Sequence, residues 1–345
     1  MKMSANIRLP AEWEEQSGVQ LTWPHADTDW REMLDEVTPC FVAIAREIAA
    51  RERLLVVCRD VDEAFGQLGA DANRENLCLC AISSNDTWAR DHAGISVFVD
   101  GKPALFDFAF NGWGMKFAAN LDNQITRKLV QRKVFADEVR YRNMLHLVLE
   151  GGSIESDGQG AILTTKTCLL SPNRNDHYTK EEMDEVLKQA LGAKRVLWLQ
   201  HGYLAGDDTD SHVDVLARFC TPNTIAYVSC DDQADEHYES LKMMEAELRA
   251  FRALDGHPYA LIALPMADCV IDDSQRLPAT YANFLIINGA VLMPTYASPK
   301  DTVARDRLQQ AFPDREIVDI DCRPLIRQHG SLHCVTMQYP AGFLL

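Results

Sequence analysis

Five times along the chain, apolar residues recur every three or four positions behind a polar start signal. This predicts helices over roughly 31–51, 121–136, 179–191, 234–254 and 299–312. Thr179 with Glu182, and Ser298 with Asp301, have the spacing of N-caps, in which a hydroxyl and a carboxylate satisfy free backbone donors. After each helix a short apolar run reads as a strand: RLLVVC, HLVLE, KRVLWL, YALIALP and REIVDID. Beyond it comes a turn rich in Gly, Asp, Asn or Ser, then a segment that opens on a polar residue and runs into a second strand. The unit recurs five times at intervals of roughly 50 to 70 residues, with little residue identity between copies. Such a period predicts an array, and mixed helix and strand in only five copies suits radial closure. Two ordinary α/β domains joined near 190–205 fit the same pattern.

Composition narrows the partners. With 47% hydrophobic residues the 345-residue chain has ample material for a core. Lys plus Arg number 34 against 51 Asp plus Glu, a net charge of −17, which argues against nucleic acid and fits a small cation better. MKMSANIRLPAEWEEQ lacks the apolar run of a signal peptide, and NFLIINGAVLM is too short and interrupted to span a bilayer, so the expected setting is the cytoplasm with no membrane partner. Ten cysteines lie scattered, mostly in strand-like runs such as LLVVC and ENLCLCAI. They read as free, reduced thiols, and no spacing among them makes a metal site.

In a repeat, corresponding ends of the units converge. The polar openings contribute Asp91, Glu150, His212 with Asp214, and Cys334, whereas the fourth opening, around Tyr281 and Asn283, carries no charged group. His212 and Asp214 are two apart at the head of an apolar run, so on a strand they share one face. By the same parity His333 and Cys334 point to opposite faces. His212 is then the better partner for the thiol, and His333 reads as a packed or hydrogen-bonded wall residue. One thiol, one imidazole and several carboxylates suit attack on a guanidinium carbon: paired carboxylates grip the planar cation, sulfur attacks, and the imidazole protonates departing ammonia and later activates water.

LPAEWEEQSGVQLTWPHADTDW (9–30), NDTWARDHAG (85–94), EGGSIESDGQGAILTTKTCLLSPNRN (150–175), DDTDSHVD (207–214), ATYANFLIINGAVLMP (279–294) and GSLHCVTMQ (330–338) together resemble the agmatine deiminase family. That family is related to the bacterial type of peptidyl-arginine deiminase, in the guanidino-modifying or pentein superfamily. The resemblance implies a single α/β domain over 1–345, a five-bladed α/β propeller (pentein fold) of ββαβ units, with no metal or other cofactor. It matches Cys334 to the nucleophile, His212 to the general acid/base, Glu150 to a glutamate that orients the histidine or the guanidinium, and Asp91 and Asp214 to the guanidinium-binding carboxylates. Asp208 matches an acidic position suited to the distal amine of agmatine, and Trp88 and Trp23 stand as candidate channel walls.

The chain departs from the family where RQHGSLHC replaces a run of glycines and an Asn before the nucleophile. Ser211 stands where a glycine commonly precedes the histidine, and RDHAG replaces a Gly-Pro ending. The expected reaction is hydrolysis of agmatine, a small cationic guanidino substrate, to N-carbamoylputrescine and ammonia, a step toward putrescine, and a homo-oligomer is compatible with it. The alternatives are the same chemistry on peptidyl or free arginine, a binding module that holds guanidine without turnover, and a metal hydrolase built on Cys, His and Asp.

Overall fold

The computed structural model describes residues 6–69 and 73–345. Among these residues lie five sheets of three or four strands and one two-residue hairpin, Ile271–Asp272 with Gln275–Arg276. Four of the sheets are built alike. Two antiparallel strands are followed by a helix and a third strand parallel to the second, as in Ala217–Thr221, Thr224–Ser229, helix Tyr238–Ala250 and Ala260–Pro265. A parallel neighbour requires a crossover, and the amphipathic helix supplies it while covering the sheet. Ile95–Val99, Ile154–Ser156 and Leu285–Ile287 open the other three.

The fifth sheet is assembled from the two ends of the chain. Thr336–Pro340 pairs antiparallel with Gln16–Thr22, and helix Leu34–Ala49 then leads to Arg53–Cys58, parallel to Gln16–Thr22. Leu54 to Cys58 are all buried, the continuous apolar run expected of a strand covered on both faces. Each apolar core spans more than one unit: one cluster joins Val56, Phe219 and Ile286, a second joins Phe106 to Leu187, and a third joins Leu55, Leu105 and Met337. Residues of different units thus share each of the three clusters.

Several elements differ from expectation. The helix expected over 121–136 is only Ile125–Gln131 behind a short turn, because Arg132 and Lys133 leave the helical conformation and Lys133 adopts φ 55°. HLVLE forms only the tail of a longer strand, Arg140–Val148. Thr179 and Glu182 do form a reciprocal capping box on Lys180–Leu191. Asp301 bonds back to Ser298 N, and Ser298 Oγ accepts from Lys300 N, one position before the cap residue Pro299. Helix Val61–Leu68, capped by Asp60, was not expected.

Candidate active site

All five polar openings are turns that precede the first strand of a sheet, and they meet. Asp91 lies in the single helical turn Ala89–His92, Glu150 before Gly151–Ser153, and His212 and Asp214 around Val213–Val215. Asn283 and Cys334 lie in turns before Leu285–Ile287 and Thr336–Pro340. Gly152 marks the meeting point. A Cβ built there would stand 2.6 Å from His212 Nδ1, 2.9 Å from Asp91 Oδ1 and 3.2 Å from Asp214 Oδ2, so only glycine lets the three side chains close around it.

Each group is held by named partners. Asp91 accepts from Gly152 N at 3.0 Å and from Trp113 Nε1 at 2.9 Å, and its Oδ1 is 3.6 Å from His212 Nδ1. The Cys334 thiol donates to Asn283 Oδ1 at 3.4 Å and lies 3.9 Å from Asp214 Oδ2. Glu150 accepts from Arg174 Nε on both oxygens, at 2.9 and 3.0 Å, and Arg174 continues to Asp210 Oδ2 at 2.6 Å and Thr209 O at 2.8 Å. Asp214 Oδ1 and His212 Nε2 are buried without any partner. Orphaned buried polar atoms are rare in folded proteins and point to a ligand that completes them.

Electrostatics sort these groups into roles. Burial opposes charge on His212, but Asp91 and then Cys168 outweigh it and hold the imidazolium well above its ordinary range. Burial pushes Asp91 up to about 6, against the pull of His212. Burial would raise Asp214 as well, but the hydrogen bond and charge of His333 keep it below the ordinary carboxylate value. Burial, then Asp214 and Asp91, drive the Cys334 thiol well above its usual pKa, which favours its neutral form.

A cavity of about 180 Å³ opens onto Cys334 and Asp91. Trp88, Trp113 and Phe117 line it, together with Asp29, Asp86 and Asp208, and none of its lining residues is Lys or Arg. Gly330 touches the same wall: a Cβ on it would lie 2.1 Å from Trp88 Cζ3, which accounts for the one glycine kept in RQHGSLHC. Ser331 Oγ bonds the Tyr296 hydroxyl at 2.9 Å and Leu332 is fully buried, so the bulkier residues of that loop pack inward. Ser211 adopts φ 64°, the left-handed backbone that favours glycine.

The structure corrects two expectations and adds residues that were missed. Neither HVD nor LHC is strand; both lie in turns, so side-chain parity does not govern them, and convergence on Gly152 brings His212 and Asp214 together instead. No hydrogen bond joins Cys334 to His212. Cys168, buried in the short helix Lys166–Leu169, has its Sγ within 4.8 Å of a His212 ring nitrogen. His333 is the hydrogen-bonded wall residue expected, and its partner is Asp214 at 2.8 Å. Trp23 packs edge-on against Phe41 and donates to Gln67, away from the cavity lining, and Trp113 takes the place proposed for it. Asn283 was passed over as uncharged; its place in the fourth opening was the available signal. Arg174 and Cys168 carried none beyond lying in a block of the resemblance.

Among the described residues two clusters have metal-like ligand types, Glu150–Cys168–His212 and Glu12–Glu155–His333. In each an arginine already supplies the countercharge: Arg174 spans both Glu150 oxygens, and Arg218 bonds Glu12 and Glu155.

The family model described as Porphyromonas-type peptidyl-arginine deiminase matches residues 8–340. An agmatine deiminase of Pseudomonas aeruginosa (strain LESB58) is 33% identical over 360 residues, covering 97% of this chain and 96% of its own. A Porphyromonas gingivalis structure provisionally described as an arginine deiminase is 56% identical, with TM-score 0.95 over 98% of this chain and 100% of that one. A cysteine-to-serine variant of the C. jejuni agmatine deiminase with substrate bound is 35% identical, with TM-score 0.92 over 99% and 98% of the two chains.

Proposed function

The chain belongs to the Porphyromonas-type peptidyl-arginine deiminase family, and from that premise we propose that it is an agmatine deiminase, hydrolysing agmatine to N-carbamoylputrescine and ammonia. The observation that carries the choice of substrate is the charge of the cavity. Four aspartates, Asp29, Asp86, Asp91 and Asp208, line it with no Lys or Arg. Agmatine is cationic at both ends. Arginine, free or at a peptide C-terminus, brings a carboxylate for which the lining offers no fixed cation.

Asp91 and Asp214 hold the guanidinium, the unpartnered Asp214 Oδ1 taking two of its N–H donors with help from Asp91. The bound cation offsets the two carboxylates that raise the Cys334 pKa, and the thiol proton leaves to solvent. Sulfur forms a bond to the guanidinium carbon, and the His212 imidazolium gives its proton to one nitrogen, which departs as ammonia and leaves a cationic S-alkylthiouronium. Neutral His212 then removes a proton from water as its oxygen bonds the same carbon. Collapse breaks the C–S bond, the hydroxyl loses its proton, and the thiol and imidazolium are restored. Glu150, fixed by Arg174, adds to the field that keeps His212 charged. Asp208 and Trp88 face the distal end of the substrate.

We read the five sheets as blades around the axis on which the polar turns meet, a reading supported by the sheet that both chain ends share. The ten cysteines are all free, which supports a cytoplasmic setting. Ammonia release from agmatine, arginine and a C-terminal-arginine peptide tests the substrate, and mass spectrometry after a haloacetamidine tests the nucleophile. Turnover of arginine in preference to agmatine, or label on a cysteine other than Cys334, would overturn the proposal.

A further inference from the structure

His333 takes no part in the chemistry above, yet it lies against Asp214. Its Nδ1 faces Asp214 Oδ2 at 2.8 Å, its Nε2 faces Glu12 Oε2 at 2.7 Å, and the residue is 1% exposed. A neutral imidazole has one N–H, and an ionised carboxylate only accepts. Two carboxylates on the two ring nitrogens therefore require a second proton, either on the ring or on one of the acids.

The surrounding charges put that proton on the ring. Glu12 Oε2 also accepts from Arg218 Nη2 at 2.9 Å, with Arg90 Nη2 at 3.8 Å, and a carboxylate so paired does not retain a proton. Burial pushes Glu155 up to about 7, but both its oxygens accept, one from Arg218 Nε and one from Phe219 N, as an ionised group does. Glu12, Glu155 and Asp214 thus set three negative charges against the two positive charges of Arg90 and Arg218, and a third cation balances the cluster. Burial first, then Arg218 and Arg90, press the His333 pKa below its ordinary value in spite of Glu12 and Asp214. Against that stand the two short contacts, each of which needs an N–H on the ring because both facing oxygens belong to carboxylates. On the far side of Asp214, His212 and Asp91 offset one another.

We propose that His333 is a standing imidazolium, clamped from behind by Glu12, that positions Asp214 by fixing its Oδ2 and so leaves Oδ1 free for the cationic substrate. His333 and Glu12 are positioning residues. The proposal rests on the reading of Asp214 as a guanidinium-holding carboxylate.

Nitrogen NMR of the full-length protein carrying labelled histidine tests it without turnover. The His333 signals are identified by their loss in His333→Gln or their displacement in Glu12→Gln. Both ring nitrogens are expected to stay protonated through neutral pH; a bare ring nitrogen overturns the proposal. For His333→Gln, kcat/KM for agmatine should fall about 100-fold, mostly through KM. The acid limb of its pH profile should also move to higher pH, because Asp214 loses the cation that holds its carboxyl low. Glu12→Gln should do the same by about tenfold, and it serves if His333→Gln does not fold. Variants that lose only melting temperature, with KM and the acid limb unmoved, would mean a structural role and overturn the proposal. A parent chain that ignores agmatine yet shows the imidazolium would sink the functional reading alone.

Discussion

In the mechanism proposed above Cys334 is the nucleophile, and burial, Asp214 and Asp91 raise its pKa until the cationic substrate offsets them. Replacing it with alanine should reduce ammonia release from agmatine by at least about 1,000-fold while agmatine still binds, which calorimetry on the folded variant would check. His212 sets the other limit. Because Asp91 and Cys168 hold its proton against burial, the imidazolium persists above the ordinary histidine range and is lost only as pH climbs through that raised value. The kcat profile for agmatine should therefore fall on the alkaline side and stay flat through neutrality; a fall centred at the ordinary histidine pKa would contradict the geometry. Both residues were legible in the sequence through their place in the repeat and the blocks around them. Asn283 and His333 were not, because a neutral amide and a buried ring acquire their roles only from what faces them.

At the scale of elements, two buried groups join units that the backbone alone would leave loosely connected. Arg174, midway along the connection between Lys166–Leu169 and Lys180–Leu191, bridges Glu150 of one turn to Thr209 and Asp210 of the next. Arg174→Met leaves Glu150 buried and unpaired, and should cost about 3–5 kcal/mol in chemical denaturation. Glu52, between Leu34–Ala49 and Arg53–Cys58, accepts from Asn288 N in the neighbouring sheet, and its Oε1 is buried without a partner. Burial raises its pKa from 4.5 to about 7, so between those values the folded chain holds a proton that the unfolded chain has released, and stability falls as pH rises through that window. Glu52→Gln should match the parent at acid pH and exceed it by about 1–3 kcal/mol on the alkaline side, read from urea midpoints at both pH values. The helices and strands behind these contacts were legible because their periods are physical. The turns were misread as strand starts, because a polar residue before an apolar run looks the same in either conformation.

For the whole molecule, a net charge of −17 and an aspartate-lined cavity draw a small dication from solution. Raising the salt from about 0.01 M to about 0.15 M should lower kcat/KM for agmatine several-fold and leave kcat unchanged, as screening acts on encounter and not on the closed site. Stopped-flow or steady-state rates at matched pH would check it; an equal fall in kcat would point to damage within the site. The sequence by itself determined the five-unit α/β repeat, the acidic character, the family resemblance and which thiol, imidazole and carboxylates stand at the openings of the units, because periodicity, composition and residue chemistry are local properties. Only the tertiary structure decided that the last strand joins the first sheet, that Asp91, His212 and Asp214 close around Gly152, that Cys168 lies within 4.8 Å of His212, and that His333 links Glu12 to Asp214. Those relations join residues up to hundreds of positions apart, and packing, which no local pattern encodes, is what sets their distances.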